Sequence, residues 1–303
     1  MKNILITVVG PTGTGKTDYS ILLAKHFGCE IISADSRQFF KGLNIGVASP
    51  STSQLNEVPH HFVGFLPLEE YYSASLFERD ALALLKNLFE KKNIVILTGG
   101  STLYVDAVCN GMDDIPDIDP KIRKKYIAKY KNEGIEGLRT ALKLLDPVHY
   151  RKVDLKNHRR IIRALEICDA TGKPYSSFLT GKKKQREFNI LKVGIRRPRK
   201  ELYDRIDKRV DKMIADGLEQ EVKNLLPFRG NNSLDTVGYK EFFGFFDGQY
   251  NISETIELIK RNSRRYAKRQ MTWWSRDNQI NWFDTDGDSD IITFTENLLD
   301  KEL

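Results

Sequence analysis

The sequence is poor in cysteine. It contains three, Cys29, Cys109 and Cys168, which lie far apart along the chain. They have no metal-ligand spacing, and isolated thiols do not form the network of bridges that stabilises small secreted proteins. The pattern excludes a disulfide-rich scaffold and a zinc finger. We expect reduced thiols in a cytoplasmic protein.

Long apolar runs are also missing. The run Ile4–Val9 is far shorter than the roughly 18 residues that a membrane helix needs. It is also shorter than the apolar segment of a signal peptide, and no cleavage site follows it. Because the run is rich in β-branched residues and ends at a glycine, it favours a buried strand. We expect neither a membrane span nor a secretion signal.

The composition shows no internal repeat and no low-complexity tail. Hydrophobic residues make up 40% of the 303 residues and charged residues 29%, which is ordinary for a soluble globular protein. The formal net charge of +7 is compatible with an anionic partner. It does not identify one, because many basic proteins simply have solvated positive surfaces.

The first hundred residues alternate compact apolar runs with helical stretches. The runs predict three strands, Ile4–Val9, Glu30–Ala34 and Ile94–Leu97. Composition and apolar spacing predict helices between them, at Asp18–Phe27 and Ser75–Lys91. Strands that are joined by helical crossovers predict an α/β core with a parallel sheet flanked by helices.

The pattern changes after about Asp113. Residues 121–190 are charged, helical and poor in strand signals, and the apolar run Leu191–Ile195 returns to the sheet. We predict a discontinuous core domain over residues 1–114 and 191–303, with a mainly helical domain inserted over residues 115–190. The later elements predicted for the core are helices at Arg199–Leu226 and Ser253–Arg276 and a strand at Ile280–Phe283.

A phosphate-binding pattern, G-x-x-x-x-G-K-[ST], lies between the first strand and the first helix. Its residues are Gly10, Pro11, Thr12, Gly13, Thr14, Gly15, Lys16 and Thr17. The glycines let backbone N–H groups face phosphate oxygens, and the helix N-terminus adds its dipole. Lys16 adds a positive charge, and the Thr17 hydroxyl suits Mg²⁺. We therefore predict a P-loop NTPase-like core that binds a phosphate-rich ligand.

P-loop enzymes usually place a carboxylate after an apolar strand, where it organises Mg²⁺ and water. The third strand here ends in Thr98-Gly99-Gly100-Ser101 without a carboxylate, whereas the second strand ends at Asp35. Asp35 is compatible with a magnesium-site acid, with a general base that faces the loop, or with a turn or helix-capping residue. Its position alone leaves all three roles open.

Two segments are rich in cations. Residues 151–163 contain many Arg and Lys residues, and residues 261–276 mix such residues with Tyr266, Trp273 and Trp274. Cations mixed with aromatic rings suit a looped RNA, whose phosphates they neutralise and whose bases they stack. Either segment alone is equally compatible with a solvated helix face.

Ten short motifs, in order along nearly the whole chain, resemble the tRNA dimethylallyltransferase family. They are Gly10–Thr17, Ile32–Gln38, Ile45-Gly46, Pro59–His61, Tyr72–Ala74, Gly99–Tyr104, Arg159–Glu166, Thr171–Pro174, Val237–Lys240 and Lys268–Trp273. The family commonly has Thr at the position of Val47, Lys at that of Ser49 and Thr at that of Ser101. The zinc finger of eukaryotic relatives is absent, so the chain resembles the short bacterial form.

The resemblance implies transfer of a dimethylallyl group from dimethylallyl diphosphate to N6 of the adenosine on the 3′ side of a tRNA anticodon. The P-loop would stabilise the departing diphosphate together with the cofactor Mg²⁺, held by Thr17 and Ser101. By the same analogy Asp35 is the general base, Ser101 is catalytic, and Arg209 supports the diphosphate. The expected partners are tRNA and dimethylallyl diphosphate, with no membrane, and a monomer is expected.

The resemblance also implies RNA contacts in both predicted domains. Ser36 and Gln38 would hydrogen-bond an adenosine that is flipped out of the anticodon loop. The implied RNA-contacting residues are Asp35, Ser36, Arg37, Gln38, Ser101, Arg123, Arg159, Arg160, Arg163, Gly238, Tyr239, Lys240, Lys268, Arg269, Gln270 and Trp273.

Two other functions stay open from the sequence. A P-loop kinase that acts on a small metabolite would use the loop but leave the basic segments unexplained. A nucleotide-regulated RNA-binding protein would use the basic segments and would not depend on Asp35.

Overall fold

The computed structural model describes residues 2–116, 118–287 and 290–302. Its strands are β1 (Ile4–Val9), β2 (Ile31–Ser33), β3 (His60–His61), β4 (Ile94–Thr98), β5 (Asn189–Arg196) and β6 (Ile280–Asp284). They form one parallel sheet in the order β3-β2-β4-β1-β5-β6. The predicted α/β core with a parallel sheet is confirmed.

Helices lie between and after the strands along the chain. In chain order they are α1 (Lys16–Phe27), α2 (Thr52–Glu57), α3 (Ala74–Phe89), α4 (Thr102–Asn110), α5 (Pro120–Leu145), α6 (Pro147–Tyr150), α7 (His158–Thr171), α8 (Arg199–Ala215), α9 (Leu218–Asn224), α10 (Tyr239–Phe246), α11 (Ile252–Trp274) and α12 (Ile291–Glu302). Helix α5 is interrupted at Gly134. The single helix predicted over residues 199–226 is two, α8 and α9, because Gly217 between them has a φ of 97° that a continuous helix does not allow.

The central strand β1 is buried on both faces. Leu5 and Val9 belong to one hydrophobic cluster, with residues of α3, α4, α10 and α11. Ile4, Ile6 and Val8 belong to a second cluster, with residues of α1 and α12. Since successive side chains of a strand point to opposite faces, β1 joins two cores. This explains why five of its six residues are apolar, with Thr7 as the exception, instead of every second residue.

The chain divides into two compact units. The core unit runs up to Asn110 and resumes at Gln185, and the helical unit is Gly111–Lys184. The helical unit therefore begins and ends a few residues before the predicted inserted domain. Within it, α5 and α7 pack around Tyr126, Leu138, Leu142, Ile161 and Leu165.

The structure describes the state of the cysteines and the character of the helices. Cys29, Cys109 and Cys168 are buried free thiols, and burial raises the pKa of the Cys109 thiol to about 11. Within the described ranges of the chain, no helix combines the length and the apolar character that crossing a bilayer would require.

A carboxylate from α9 organises the loop that follows Phe40. One oxygen of Glu221 accepts hydrogen bonds from the backbone N–H groups of Asn44 (3.1 Å) and Ile45 (2.8 Å). The other accepts from the N–H of Gly46 (3.0 Å) and from the hydroxyl of Tyr239 (2.6 Å). Three consecutive backbone donors on one carboxylate hold this loop in a single conformation.

Replacing this carboxylate should destabilise the fold. We expect Glu221→Ala to lower the free energy of unfolding by about 2–3 kcal/mol, because it leaves the loop donors and a buried tyrosine hydroxyl without their acceptor. Glu219→Ala, which removes an exposed carboxylate of the same helix, should lower it by less than about 1 kcal/mol. Urea unfolding followed by circular dichroism measures both. Equal effects of the two substitutions would contradict the role given to Glu221.

Candidate active site

Three parallel strands end side by side at one edge of the sheet. Val8 of β1 and Ser33 of β2 both pair with Thr98 of β4. The pairing continues one residue beyond β2, where the N–H of Ala34 donates to the Thr98 carbonyl (2.7 Å). The carboxyl ends of these strands therefore bring together the P-loop, Asp35 and the Gly99-Gly100-Ser101 turn, where α/β proteins place their ligands.

The P-loop turns sharply out of β1. Gly10 has a φ of 139°, and a Cβ on it would lie 2.4 Å from the Ile195 carbonyl oxygen, so only glycine fits there. Helix α1 then begins after Gly15 without a capping side chain. The free N–H groups of its first turn, which includes Lys16 and Thr17, form the anion-binding end of the helix.

Arginines hold the P-loop from outside. The Arg205 guanidinium donates to the Gly13 carbonyl (2.9 Å), and Arg197 donates to the Thr14 carbonyl (3.0 Å). Arg209, one turn after Arg205 on α8, donates to the Thr12 hydroxyl (3.0 Å). Cations on carbonyl oxygens fix the peptide planes of the loop, and Arg209 lies directly beside the loop.

The negative charge of Asp35 acts on both Lys16 and Arg209. Desolvation lowers the pKa of Lys16 to about 8, and the negative charge of Asp35 opposes that shift. Burial also lowers the pKa of Arg209, and Asp35 again opposes the change. The Lys16 ammonium donates to the Pro11 carbonyl (2.9 Å). Two cations and one carboxylate thus lie close together, partly removed from water.

Asp35 is both a turn residue and a reactive candidate. Its Oδ1 accepts from the N–H of Arg37 (3.2 Å), which is the Asx-type turn that its position allows. Within the part of the chain that the structure describes, no group donates to its Oδ2. A Cβ on Gly100 would lie 3.5 Å from that oxygen, so Oδ2 faces the neighbouring turn. The carboxylate keeps one oxygen for chemistry.

Two serines join the strand ends. Ser101 Oγ accepts from the N–H of Ser36 (2.9 Å), and the two hydroxyls lie 2.9 Å apart. On the other side of the turn, the Gly100 carbonyl accepts from Tyr266 (3.3 Å) and Gln270 (2.7 Å) of α11. Burial raises the pKa of the Tyr266 hydroxyl and the charge of Asp35 raises it further, so Tyr266 stays a neutral donor.

Some residues predicted to contact RNA lie inside the protein. Gln270 is 2% exposed, Tyr239 is fully buried in the core, and Gly238 is buried beside it. The Tyr239 hydroxyl is held by Glu221, and burial raises its pKa. These positions do not fit a direct RNA contact, and the structure gives Tyr239 and Gln270 places in the framework of the site instead.

Other predicted RNA contacts are engaged with the chain itself. Arg37 donates to the backbone carbonyls of residues 232, 233 and 235, and Lys240 forms an ion pair with Asp235. The Gln38 amide donates to the carbonyls of Ala48 (3.0 Å) and Val47 (3.4 Å). Because Gln38 uses the backbone of Val47, the departure from the family residue at that position leaves this contact intact.

Exposed cations lie on α11 of the core unit. Lys268 and Arg269 are exposed, and the Arg269 guanidinium lies 5.8 Å from the centre of the Tyr266 ring. Trp273 is 36% exposed, and its indole N–H donates to Asp106 Oδ2 (2.8 Å). The hydrogen bond restricts the orientation of a ring that remains partly exposed, which suits stacking on a base.

The helical unit carries its own basic surface. Arg123 and Arg163 both donate to the buried carboxylate of Glu166, at 3.1 and 3.4 Å, which fixes these two half-exposed guanidiniums. Arg159 and Arg160 lie before Arg163 on α7 and are exposed, whereas Arg123 belongs to α5. The four predicted RNA-contacting arginines of this unit therefore reach its surface, and one carboxylate holds two of them in orientation.

The hydroxyl donors near the P-loop suit a Mg²⁺ ion that is bound mainly by phosphate oxygens and water, rather than a metal ion held by several protein side chains. Among residues 2–116, 118–287 and 290–302, no group of three or more His, Cys, Asp or Glu side chains could hold a metal ion. Mg²⁺ keeps several waters and takes few protein ligands besides phosphate oxygens. The hydroxyls of Thr17 and Ser101 fit that chemistry.

Sequence reasoning missed Arg197, Arg205 and Tyr266 as parts of this site. Arg205 and Arg209 lie four residues apart, so they share one face of α8. That spacing was the available signal, since a helix face with two arginines suits an anion-binding loop. Arg197 and Tyr266 had no comparable signal, because their contacts join segments that are distant in sequence.

Comparison with known proteins decides the family. Residues 38–277 match the family described as IPP transferase. The chain is 51% identical over 290 residues to tRNA dimethylallyltransferase 1 of Bacteroides thetaiotaomicron, covering 96% of this chain and 94% of that protein. The chain belongs to the IPP transferase family.

Solved structures agree with this IPP transferase assignment. The full-length tRNA isopentenylpyrophosphate transferase of Bacillus halodurans superposes with a TM-score of 0.72 at 35% identity, covering 99% of this chain and 97% of that one. A eukaryotic dimethylallyltransferase acting on tRNA superposes with a TM-score of 0.83 at 25% identity, covering 99% of this chain and 80% of that one. The match extends over nearly the whole chain, as the ordered motifs predicted.

The lowered pKa of Lys16 predicts a pH dependence of anion binding. Below about pH 8 the lysine is charged in the free protein, and above that value it must first take up a proton to bind an anion. We therefore expect the dissociation constant of an alkyl diphosphate to be constant between about pH 7 and pH 8, where the ligand keeps its full charge, and to rise above about pH 8. Lys16→Arg, which stays charged, should remove this rise. Calorimetric titration measures both, and the same pH profile in the two proteins would contradict the assignment.

Proposed function

We propose that this protein transfers a dimethylallyl group from dimethylallyl diphosphate to N6 of an adenosine beside the anticodon of tRNA. Family membership supports transfer of the prenyl group to tRNA, since the related proteins above are named for it. The observation that carries the proposal at the site is the position of Asp35. Its unbonded Oδ2 lies in the field of the P-loop cations, so a proton acceptor and a diphosphate cradle share one edge of the sheet.

In this reaction the P-loop binds the leaving group. The N6 nitrogen attacks the terminal carbon of the dimethylallyl group, and the bond from that carbon to the diphosphate oxygen breaks. Negative charge develops on the diphosphate at the N-terminus of α1, beside Lys16 and Arg209. Cations that are partly desolvated and already held in place stabilise this charge without reorganising.

Asp35 receives the proton. The exocyclic amine of adenosine is a weak nucleophile, and the nitrogen gains positive charge as it is alkylated. Transfer of its proton to Asp35 Oδ2 removes that charge. Oδ1 remains bonded to the backbone of Arg37, which keeps the carboxylate oriented while Oδ2 reacts.

Mg²⁺ fits this site as the cofactor, with the Thr17 and Ser101 hydroxyls as its protein ligands. When bound, it would neutralise charge on the diphosphate. Ser101 also keeps Ser36 in place through two contacts at 2.9 Å, so the turn after β4 serves both the leaving group and the strand that carries Asp35.

We assign the RNA contacts to residues that are exposed in each unit. In the core unit these are Lys268, Arg269 and Trp273 of α11, and in the helical unit Arg159, Arg160 and the oriented Arg123 and Arg163. Phosphate neutralisation by these cations would supply most of the affinity, and the tryptophan ring would stack on an unpaired base.

The base assignment predicts the effect of Asp35→Asn. We expect the single-turnover transfer rate to fall by about 10²- to 10⁴-fold, because the amide cannot accept the proton. The assay mixes the protein with Mg²⁺, labelled dimethylallyl diphosphate and an anticodon stem-loop with three adjacent adenosines. Asp300→Asn, which changes an exposed carboxylate of α12, should keep the wild-type rate.

The same assay distinguishes the other functions. Label that never enters RNA with folded wild-type protein would refute the transferase. Transfer at the wild-type rate by Asp35→Asn would refute the base assignment alone. A P-loop kinase would instead move the γ-phosphate of labelled ATP to an acceptor.

The RNA surface of α11 predicts a change in salt dependence. Combining Lys268→Ala with Arg269→Ala should weaken stem-loop binding and reduce the slope of log K against log salt by about one for each lost phosphate contact. Lys86→Ala with Lys91→Ala removes two exposed lysines elsewhere and should leave the slope unchanged. Fluorescence anisotropy at several salt concentrations gives the slopes. Identical slopes in both double variants would exclude α11 from the RNA interface.

A further inference from the structure

Gln270 is a buried amide that connects two parts of the candidate active site. It lies near the C-terminal end of α11 and is 2% exposed. Its Oε1 accepts from the N–H of Thr12 in the P-loop (2.9 Å), and its Nε2 donates to the Gly100 carbonyl in the turn after β4 (2.7 Å). A single side chain thus spans from the diphosphate cradle to the turn beside Asp35.

The chemistry of the partners fixes the orientation of this amide. A backbone N–H only donates and a backbone carbonyl only accepts, so the oxygen must face Thr12 and the nitrogen must face Gly100. Among natural side chains of this length, only a neutral amide offers one acceptor and one donor at its two ends. A carboxylate would place negative charge against the Gly100 carbonyl, and a cation would leave the Thr12 N–H without an acceptor.

The surroundings are built to admit this contact. A Cβ on Gly100 would lie 2.6 Å from Gln270 Nε2, so the glycine makes room for the amide. The Tyr266 hydroxyl, one turn earlier on α11, donates to the same carbonyl at 3.3 Å. On the P-loop side, the Thr12 hydroxyl accepts from Arg209 at 3.0 Å. The hydrogen bonds of the amide are therefore connected, through Thr12, to Arg209 beside the P-loop.

Building on the proposed transfer reaction, we propose that Gln270 is a positioning residue. Its amide fixes the separation between the P-loop, which would hold the leaving group, and the Gly100–Ser101 turn, which supports Ser36 next to Asp35. The attacking nitrogen, the carbon under attack and the leaving oxygen must be aligned between these two parts. A misplacement of about 1 Å lowers a rate by about 100-fold, so the transfer step depends on this separation.

A positioning role for Gln270 and a role in RNA binding predict different effects of replacing this residue. A buried amide that faces two backbone groups does not touch RNA, so its replacement should lower the rate of the transfer step and leave the RNA dissociation constant unchanged. Gln270→Met nearly preserves volume and removes both hydrogen bonds. Gln270→Glu keeps the acceptor for Thr12, and it regains a donor to the Gly100 carbonyl only when its carboxyl group is protonated.

The experiment measures single-turnover transfer and stem-loop affinity for both variants between about pH 6 and pH 8.5, each as a ratio to wild type. Asp35, Lys16, Arg209 and Tyr266 surround the site in all three proteins, so any pH dependence that they cause in common cancels in the ratio. We expect Gln270→Met to lose about 10- to 100-fold in rate at every pH. Gln270→Glu should recover toward wild type as the pH falls, and stem-loop affinity should stay within about twofold. The exposed Gln279, changed to Met and to Glu, supplies matched controls that should match wild type.

A wild-type rate in Gln270→Met, or a loss confined to stem-loop affinity, would overturn the proposal. So would a Gln270→Glu ratio below wild type that does not change with pH, since a purely structural defect would give that result. If wild-type protein transfers no label, the proposed reaction fails. Gln270 is then judged on dimethylallyl diphosphate affinity, which should weaken in Gln270→Met and would be unchanged if the amide does not position the loop.

If both variants fail to fold by circular dichroism, Tyr266→Phe, which removes only the weaker donor to Gly100, should lower the rate severalfold at wild-type stem-loop affinity. An unchanged rate would overturn the proposal.

Discussion

The parallel pairing of β1, β4 and β2 is the constraint on which the candidate active site depends. It aligns Val8, Thr98 and Ser33 in one register, so three strands end at the same level of the sheet. The P-loop, Asp35 and the Gly99-Gly100-Ser101 turn follow those ends directly. The proposed transfer reaction needs both a binding site for diphosphate and a carboxylate. The ends of the strands bring these two parts together.

Side chains from later in the chain then set the fine geometry. Arg197 and two arginines of helix α8 fix the loop, and α11 connects the loop to the turn through Gln270. These contacts hold polar groups in partly desolvated surroundings, where electrostatic interactions are stronger than in water. The lowered pKa of Lys16 is one consequence of this. In the proposed reaction, the same desolvation would strengthen the attraction between these cations and a departing diphosphate.

The sequence predicted the parts of the fold that local patterns determine. The predicted bounds of strand β1 were correct to the residue, because burial on both faces demands a run that is almost entirely apolar, here between a polar residue and a glycine. Helix α10 was not predicted, because Tyr239–Phe246 has only eight residues, five of them aromatic, and so short a run does not distinguish a helix from a strand. Strand β3 was not predicted because its two residues are too few to show any periodicity.

The site divides in the same way. The P-loop and Asp35 follow predicted strands, so their neighbourhood could be inferred from parallel topology alone. The role of Gln270 could not, because Lys268–Trp273 looks like one more stretch of a basic surface helix, and only tertiary packing distinguishes its buried amide from its exposed cations. Motif resemblance grouped these residues as RNA contacts, whereas burial separates them into framework and surface.

The central claim is that one edge of the sheet holds the leaving diphosphate and presents Asp35 to the attacking nitrogen. A crystal structure with an unreactive thio analogue of dimethylallyl diphosphate and an anticodon stem-loop tests it most directly. The account predicts the diphosphate at the N-terminus of α1 and the adenosine N6 within about 2.6–3.2 Å of Asp35 Oδ2. Diphosphate bound elsewhere, or an N6 that faces another group while Asp35 points away, would contradict it.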